Sequence, residues 1–342
     1  MIGIEETIIR TLTHHKISSD GKKSILSDKA FEYSNDEEEN VLRKILLKPF
    51  LNNSHTFEFS HEVNLDYNIL YSLSKKIFSE DEEFQKLSKD IAQHLITVSK
   101  HPNIKEGDLF VVKFDDLKLD NKFIEGIGIY KFEEKESFIE TSISDNSINR
   151  RFLKGIGGKK PDKACLILFT EEPYTILIID NNTKETDYWQ NEFIQHKTKN
   201  DNINSTHNFL NITKNFITTQ IQNDFEVSKA DQIDFLNRSV DYFKKNETFD
   251  KNEFEETVFG DSNVIDSFRK FDQTFRQENE IELADNFEIS AQAVKKQARV
   301  FKSVLKLDKN FHIYIHGNRE LIEQGVDEKG RKFYKIYYEE EN

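Results

Sequence analysis

Leu109-Phe-Val-Val-Lys-Phe114 is the first of five short runs that are rich in β-branched and aromatic residues. The other runs span residues 123–132, 137–143, 165–170 and 174–180. Turn-prone polar segments separate most of them, and runs of this length and composition between turn signals are typical of β-strands. The pattern predicts a strand meander, which we expect to be antiparallel.

Helical spacing precedes the meander. Residues 65–78 are predicted to form one helix, and in the next helix apolar residues recur every three or four positions, the spacing that places them on one face. These residues are Phe84, Leu87, Ile91, Leu95 and Val98. We expect the meander to pack on these two helices, and we interpret the acidic runs at 36–39 and 80–83 as solvated surface.

The chain becomes mainly helical after the polar, Asn-rich segment 200–206, where we place a domain boundary. Ser228 and Asp231 have the spacing of a capping box, in which each residue bonds the backbone of the other at a helix start. Apolar residues at helical spacing follow the box and predict a buried stripe. They are Ile233, Leu236, Val240 and Phe243.

Together these patterns predict an α+β protein of two domains, a number that 342 residues can accommodate. The first domain, residues 1–195, has N-terminal helices packed on the antiparallel meander. The second domain, residues 205–342, is mainly helical, with further helices from Ser262 and from Ser290. A β-hairpin between 311–315 and 332–338 is expected to close it.

Composition excludes several classes of protein. No run approaches the roughly 20 consecutive apolar residues of a membrane-spanning helix, and Glu5 and Glu6 interrupt the start where a secretory signal would be apolar. We therefore expect a soluble cytoplasmic protein. The formal net charge of −14 argues against a uniformly basic surface for nucleic acid, so that only a local basic patch could bind phosphates.

One basic patch is predicted on the helix from Ser290 to about Leu307. At about 100° per residue, Val294, Ala298, Phe301 and Leu305 lie on one side of it and are expected to be buried. An adjacent stripe carries four cations, and two more lie nearby. The six are Lys295, Arg299, Lys302 and Lys306, with Lys296 and Lys309. The alternative is a solvated face that pairs with the acidic stretch 278–288.

A second basic run spans residues 150–160 and surrounds a glycine-rich centre. Its cations are Arg150, Arg151, Lys154, Lys159 and Lys160. The spacing does not match a nucleotide-binding Gly-x-x-x-x-Gly-Lys-Ser/Thr loop, and Pro161 follows where that motif supplies a hydroxyl. We interpret the run as a mobile basic connection that contacts nucleic acid or a partner, or as a plain surface loop.

No catalytic constellation is recognisable. The histidines lack the helical His-x-x-x-His spacing with an intervening Glu that zinc sites use, and no Gly-x-Ser-x-Gly elbow is present. Cys165 is the only cysteine, and its apolar neighbours predict a buried small side chain rather than a nucleophile. We therefore predict no enzyme, no metal site and no cofactor.

Three segments in the second half resemble the bacterial nucleoid-associated protein family of the NdpA or YejK type. They are Phe225-Glu-Val-Ser-Lys-Ala-Asp231, Thr248-Phe-Asp250 and residues 293–316. In the first half, Gly107-Asp-Leu-Phe-Val-Val112 agrees with the same family. The resemblance covers nearly the whole chain, leaves residues 141–163 unplaced, and implies association with the nucleoid and DNA binding.

Three functions stay open at this point. The first is direct DNA binding with little sequence preference through the basic patches. The second is an interaction protein that a DNA-bound partner recruits to the nucleoid, which the charge of −14 favours. An unrecognised metal-dependent nuclease is a distant third. The partners expected are DNA and, for the second function, a nucleoid protein; a homo-oligomer is left open.

Overall fold

A computed structural model describes residues 2–18, 23–53, 55–101, 103–119, 122–181, 188–298, 301, 304–315 and 319–340. The chain divides into two compact units, Met1–Lys199 and Asn200–Asn342. That each unit also folds as an independent domain stays a prediction.

The first unit combines one large sheet with three α-helices in its described residues. The helices are α1 (Asp36–Leu47), α2 (Ile69–Ser79) and α3 (Phe84–Val98), followed by a π-helix at Tyr188–Ile194. The strands are β1 (Ile2–Gly3), β2 (Ile8–Ile17), β3 (Phe57–Phe59), β4 (Gly107–Leu119), β5 (Lys122–Phe132), β6 (Glu136–Ser144), β7 (Ser147–Gly155), β8 (Lys163–Leu168), β9 (Thr175–Asp180) and β10 (His196–Thr198).

The large sheet has eight strands in the order β1-β4-β5-β8-β9-β3-β10, with β2 also paired to β4. Every pairing is antiparallel. This confirms the α+β class and places four of the five predicted runs in the sheet. The long N-terminal strand β2 was not predicted, although it pairs with β4 from Ile8 opposite Asp115 to Ile17 opposite Gly107.

Both faces of the sheet are covered. Leu109 and Val111 of β4 point into a core that includes residues of α2 and α3. Phe110 and Val112 point into a second core that includes residues of α1. The expected packing on the two preceding helices is confirmed for α2 and α3, and α1, which was not predicted, covers the other face. The acidic run 36–39 forms the first turn of α1, where carboxylates interact favourably with the helix dipole.

The fifth predicted run, 137–143, does not join the sheet. It lies in β6, which pairs with β7 in a separate two-stranded ribbon. The interpretation of residues 150–160 as a loop was wrong for its first half, because Arg150, Arg151 and Lys154 lie on β7. A strand run does not encode its pairing partner, which explains why local pattern alone assigned 137–143 to the meander.

The second unit is mainly helical in its described residues. Its helices are α4 (Asn202–Asn215), α5 (Ile221–Asp224), α6 (Lys229–Lys245), α7 (Lys251–Val258), α8 (Ser262–Glu278) and α9 (Ala291–Ala298), with a π-helix at Phe216–Gln220. Its strands are β11 (Thr248–Asp250), β12 (Asn286–Glu288), β13 (Val304–Leu307), β14 (Phe311–Tyr314), β15 (Ile322–Val326) and β16 (Lys332–Ile336).

The capping box predicted at the start of α6 is confirmed. The Ser228 hydroxyl accepts from the Asp231 backbone N–H at 3.1 Å, and the Asp231 carboxylate accepts from the Ser228 N–H at 2.8 Å. The apolar stripe from Ile233 to Phe243 is buried as predicted. The Asn-rich segment 200–206, however, is largely the first turns of α4, which Asp201 caps by accepting from Asn204 N at 3.0 Å.

The C-terminal region differs most from its prediction. Residues 304–307 form strand β13 and pair with β14, whereas β15 pairs with β16. The chain therefore ends in two hairpins, and the predicted partnership between 311–315 and 332–338 was wrong. Pairing with β14 holds residues 304–307 as a strand, whereas a short apolar run by itself fits either a strand or the continued helix we expected. None of the described helices is long and apolar enough to cross a membrane.

Candidate nucleic-acid interface

The cations predicted to share one helical stripe near the C-terminus lie on different elements. Lys295 and Lys296 belong to α9, Lys306 to β13 and Lys309 to the turn that follows. Arg299 and Lys302 lie outside the described residues. The four-cation stripe was therefore wrong, because the helix it required does not extend to Lys306.

The individual C-terminal lysines also differ in their surroundings. Lys295, Lys306 and Lys309 are exposed. Lys296 is half-buried, and this burial lowers the pKa of its ammonium group. Phe301 and Leu305 are both buried, as predicted, but they enter two separate apolar clusters rather than one helix face.

The second basic run belongs to an exposed ribbon. We call the ribbon formed by β6 and β7, residues 136–155, the arm. Its strands pair at nine successive positions, from Glu136 opposite Gly155 to Ser144 opposite Ser147. Asp145 and Asn146 make the turn, and their φ angles of 48° and 58° fit a two-residue type I′ hairpin turn. At about 3.3 Å per residue, nine positions give the arm a length of about 30 Å.

The two faces of the arm differ in charge. Residues directly opposite each other in an antiparallel pair project to the same face. One set of alternate pairs forms what we call the cationic face, which carries Lys154 and Arg150 and no carboxylate. Its pairs are Ser137 with Lys154, Ile139 with Phe152, Thr141 with Arg150, and Ile143 with Ile148.

The opposite face carries the carboxylates of the two strands, Glu136 and Glu140. Arg151 also lies on this face and forms an ion pair with Glu140, with 3.9 Å between Nη1 and Oε2. By contrast, neither Arg150 nor Lys154 has an ion-pair partner within the part of the chain that the structure describes. The register therefore separates two cations that are open to a ligand from one that is paired.

Large apolar side chains on the cationic face are exposed to an unusual degree. The exposed fractions are 54% for Ile139, 75% for Phe152, 82% for Ile143 and 68% for Ile148. Exposed apolar patches that polar residues border typically mark an interaction site. The cationic face thus alternates apolar pairs with cations, a combination suited to a surface that is both charged and partly apolar.

The base of the arm is held by short-range contacts. A Cβ atom on Gly155 would lie 2.9 Å from the Phe138 ring, so the glycine allows that ring to cross the ribbon on the face away from the two open cations. The Glu136 carboxylate accepts from the Lys159 N–H. The Lys159 ammonium donates to Glu134, which holds the pKa of that carboxyl below its ordinary value.

A groove at the base of the arm collects further lysines. Its volume is about 410 Å³, and it lies between α1 with the following turn and the glycine-rich loop after β7. Lys44, Lys48, Lys159 and Lys160 line it together with Val41, Ile45, Pro49, Gly157 and Gly158. Lys159 is paired with Glu134, whereas Lys160 has no ion-pair partner among the described residues. We call this the basal groove.

The sequence predicted the cations of the arm but not its apolar pairs, nor the contributions of Lys44 on α1 and Lys48 just after it. The alternation in 137–143 and the Asp145-Asn146 turn were available as signals of a hairpin. The contributions of Lys44 and Lys48 had no local signal, because the loop 156–160 meets α1 only through the fold. These residues come together with Arg150, Lys154 and Lys160 in one unit.

Metal-ligating side chains do not cluster within the described residues. Those residues contain no group of three or more His, Cys, Asp or Glu side chains that could hold a metal ion. Cys165 is fully buried in the sheet, as predicted, and burial raises the pKa of its thiol well above the ordinary range. A thiol in that state is a poor nucleophile.

A family model matches most of the chain. The family model of the nucleoid-associated protein YejK matches residues 14–340 of the 342-residue chain. The match spans both the arm and residues 141–163, and it confirms the family resemblance derived from the sequence. No curated protein matches the chain.

Proposed function

Because the chain belongs to the family of the nucleoid-associated protein YejK, we propose that it binds duplex DNA directly through the cationic face of the arm. The contacts are to phosphates, and sequence preference is low. The observation that carries this proposal is the segregation of charge, which leaves Arg150 and Lys154 on a face without carboxylates. Phosphate contacts of this kind supply most of the affinity in non-specific DNA binding.

The length of the arm reconciles this function with a net charge of −14. Arg150 lies five ladder positions from the base of the arm, which is about 17 Å at the rise of a β-strand. The Debye length at physiological salt is about 8 Å. A phosphate that binds Arg150 is therefore far enough from the base of the arm for salt to screen most of the repulsion from acidic residues near the sheet.

The basal groove extends the same interface. Lys160 lies five residues after the end of the arm, and Lys44 and Lys48 line the same groove. We propose that DNA bound along the arm also contacts these lysines. Lys159 contributes less, because Glu134 already neutralises it. Arg151 likewise contributes less, because it pairs with Glu140.

The test is a titration of the full-length protein on a labelled duplex over a salt series. Each phosphate contact contributes about 0.9 to the slope of log affinity against log salt. The double variant Arg150→Gln/Lys154→Gln should therefore flatten the slope by about 1.8. Lys295→Gln/Lys306→Gln is the matched control, since it also removes two exposed cations, and it should leave the slope unchanged. The reverse result would move the interface to the second unit.

Recruitment by a protein partner is the second candidate, and the net charge of −14 favours it. It would replace direct binding if the purified protein failed to bind bare DNA even at low salt and yet stayed with nucleoids in cell extracts. The family description names no catalysed reaction. A nuclease would be recognised by metal-dependent degradation of the same duplex.

A further inference from the structure

The end of the arm carries an apolar pair that phosphate binding does not explain. Ile143 lies opposite Ile148, one ladder position before the closing pair Ser144 and Ser147. At 82%, Ile143 is the most exposed of the large apolar side chains in the described residues, and Ile148 is 68% exposed. Isoleucine suits a strand, but threonine does so as well without placing apolar surface in water.

We propose that Ile143 and Ile148 form a wedge that enters the minor groove and separates two stacked base pairs, so that the protein bends the duplex. Proteins that bend DNA from the minor groove insert apolar side chains, isoleucine among them, between base steps. This inference rests on the proposed function, because the wedge acts only on DNA that the arm has bound.

The order of residues along the cationic face fits such a wedge. Arg150 is the next cation on the same face, two ladder positions from the wedge and therefore about 7 Å away along the strand. Its guanidinium can hold a phosphate beside the opened step. Lys154 lies four positions further toward the base, beyond the pair Ile139 and Phe152. There it can bind a second phosphate of the same duplex.

Packing within the described residues does not explain why two isoleucines stand at the end of the arm. Neither isoleucine belongs to one of the apolar clusters of the described residues. The charge of the cationic face indicates which partner the isoleucine pair contacts. A face with two open cations and no carboxylate is complementary to a polyanion. A second copy of this chain that met the pair through its own cationic face would bring two further cations to the same place and be repelled.

The energetics predict a preference that can be measured. Unstacking a base step costs free energy, and the cost is smaller where a nick or mismatch has already weakened the stack. The full-length protein should therefore bind a duplex with a central nick at least about tenfold more tightly than the intact duplex of the same sequence. It should also raise energy transfer between dyes at the two ends of the intact duplex, since bending brings the ends closer.

Two variants separate the wedge from the phosphate contacts. Ile143→Ser/Ile148→Ser should lose both the preference for the nick and the increase in energy transfer, while its salt slope on intact duplex stays that of the wild type. Ile143→Leu/Ile148→Leu keeps apolar volume and should retain both. Because these side chains are exposed, neither variant is expected to change folding, which circular dichroism would verify.

Failure of the wedge and failure of the proposed function give different results. A wild-type protein that binds duplex DNA with the expected salt slope but shows neither nick preference nor bending would overturn the wedge and leave direct binding intact. Absence of any binding to bare DNA would overturn both. A serine variant that binds and bends like the wild type, but sediments as a smaller oligomer, would assign the pair to contact between copies of the chain and overturn the wedge.

Discussion

Arg151 lies opposite Glu140 across the arm, with 3.9 Å between the guanidinium and the carboxylate, whereas its neighbour Arg150 lies opposite Thr141. Two adjacent arginines thus face opposite sides of one ribbon. We predict that Arg150→Gln lowers the salt slope of DNA binding by about 0.9, the contribution of one phosphate contact. Arg151→Gln should change the slope by less than half as much. Equal effects of the two single variants in the same titration would contradict the assignment of faces.

The turn of the arm contains a carboxylate that should oppose the proposed DNA binding. Asp145 lies next to the exposed pair Ile143 and Ile148 and is not part of either strand. Asp145→Asn removes this negative charge and keeps a residue that tolerates the left-handed backbone, where φ is 48°. We predict tighter binding at low salt, with the difference shrinking as salt is raised. Affinity that is unchanged or weaker at low salt would show that the turn stays away from phosphates.

The arm should be dispensable for folding. Deletion of residues 139–144 and 147–152 connects Phe138 to Leu153 through the native turn. Because an even number of residues is removed from each strand, the remaining side chains stay on the same faces of the ribbon. Because the deleted side chains are exposed, the free energy of unfolding should change by less than about 1 kcal/mol. Urea melts would measure this, and DNA binding by the shortened protein should be strongly reduced. A large loss of stability would mean that the arm packs on the rest of the chain.

His15 should make folding sensitive to acid. It is buried, its Nδ1 accepts from the Ser27 backbone N–H at 3.1 Å, and burial together with His14 and Lys89 lowers its pKa to about 4. In the unfolded chain this histidine binds a proton near pH 6.5, whereas in the folded chain it does so only near pH 4. The free energy of unfolding therefore falls as pH is lowered through this window. Relative to His15→Gln, the wild type should lose about 2 to 3 kcal/mol of unfolding free energy between pH 7 and pH 4. Urea melts in which the two proteins lose stability in parallel would contradict this.

Phe301 should contribute strongly to stability although the helix predicted around it ends earlier. Phe301 is buried in the aromatic-rich cluster of the second unit. Phe301→Ala is expected to cost about 3 to 5 kcal/mol, the usual cost of truncating a buried aromatic. Phe311→Ala is the matched control, since Phe311 is 62% exposed, and it should cost less than about 1 kcal/mol. Similar denaturant midpoints for the two variants would place Phe301 at the surface.

Local signals determined much of this protein from sequence alone. The capping box of Ser228 and Asp231 and the stripe that follows it act within a few residues, so α6 could be located without knowledge of the rest of the chain. The same holds for the strand character of 109–114 and for the burial of Cys165. Burial of Phe301 was predicted from a helix face shared with Val294 and Ala298, and all three enter one apolar cluster although α9 covers only Ala291–Ala298.

Tertiary structure decided which strands pair and which faces stay uncovered. The run 137–143 has the composition of its neighbours in the meander, yet it pairs only with β7, since hydrogen bonding across strands depends on residues far along the chain. That pairing places Arg150 apart from Arg151 and brings Ile143 to Ile148. At the C-terminus, pairing with β14 held 304–307 as a strand and separated Lys306 from Lys295. The spacing of apolar residues in the sequence predicts which residues share one face of a helix or strand. Whether another element covers that face depends on the tertiary structure.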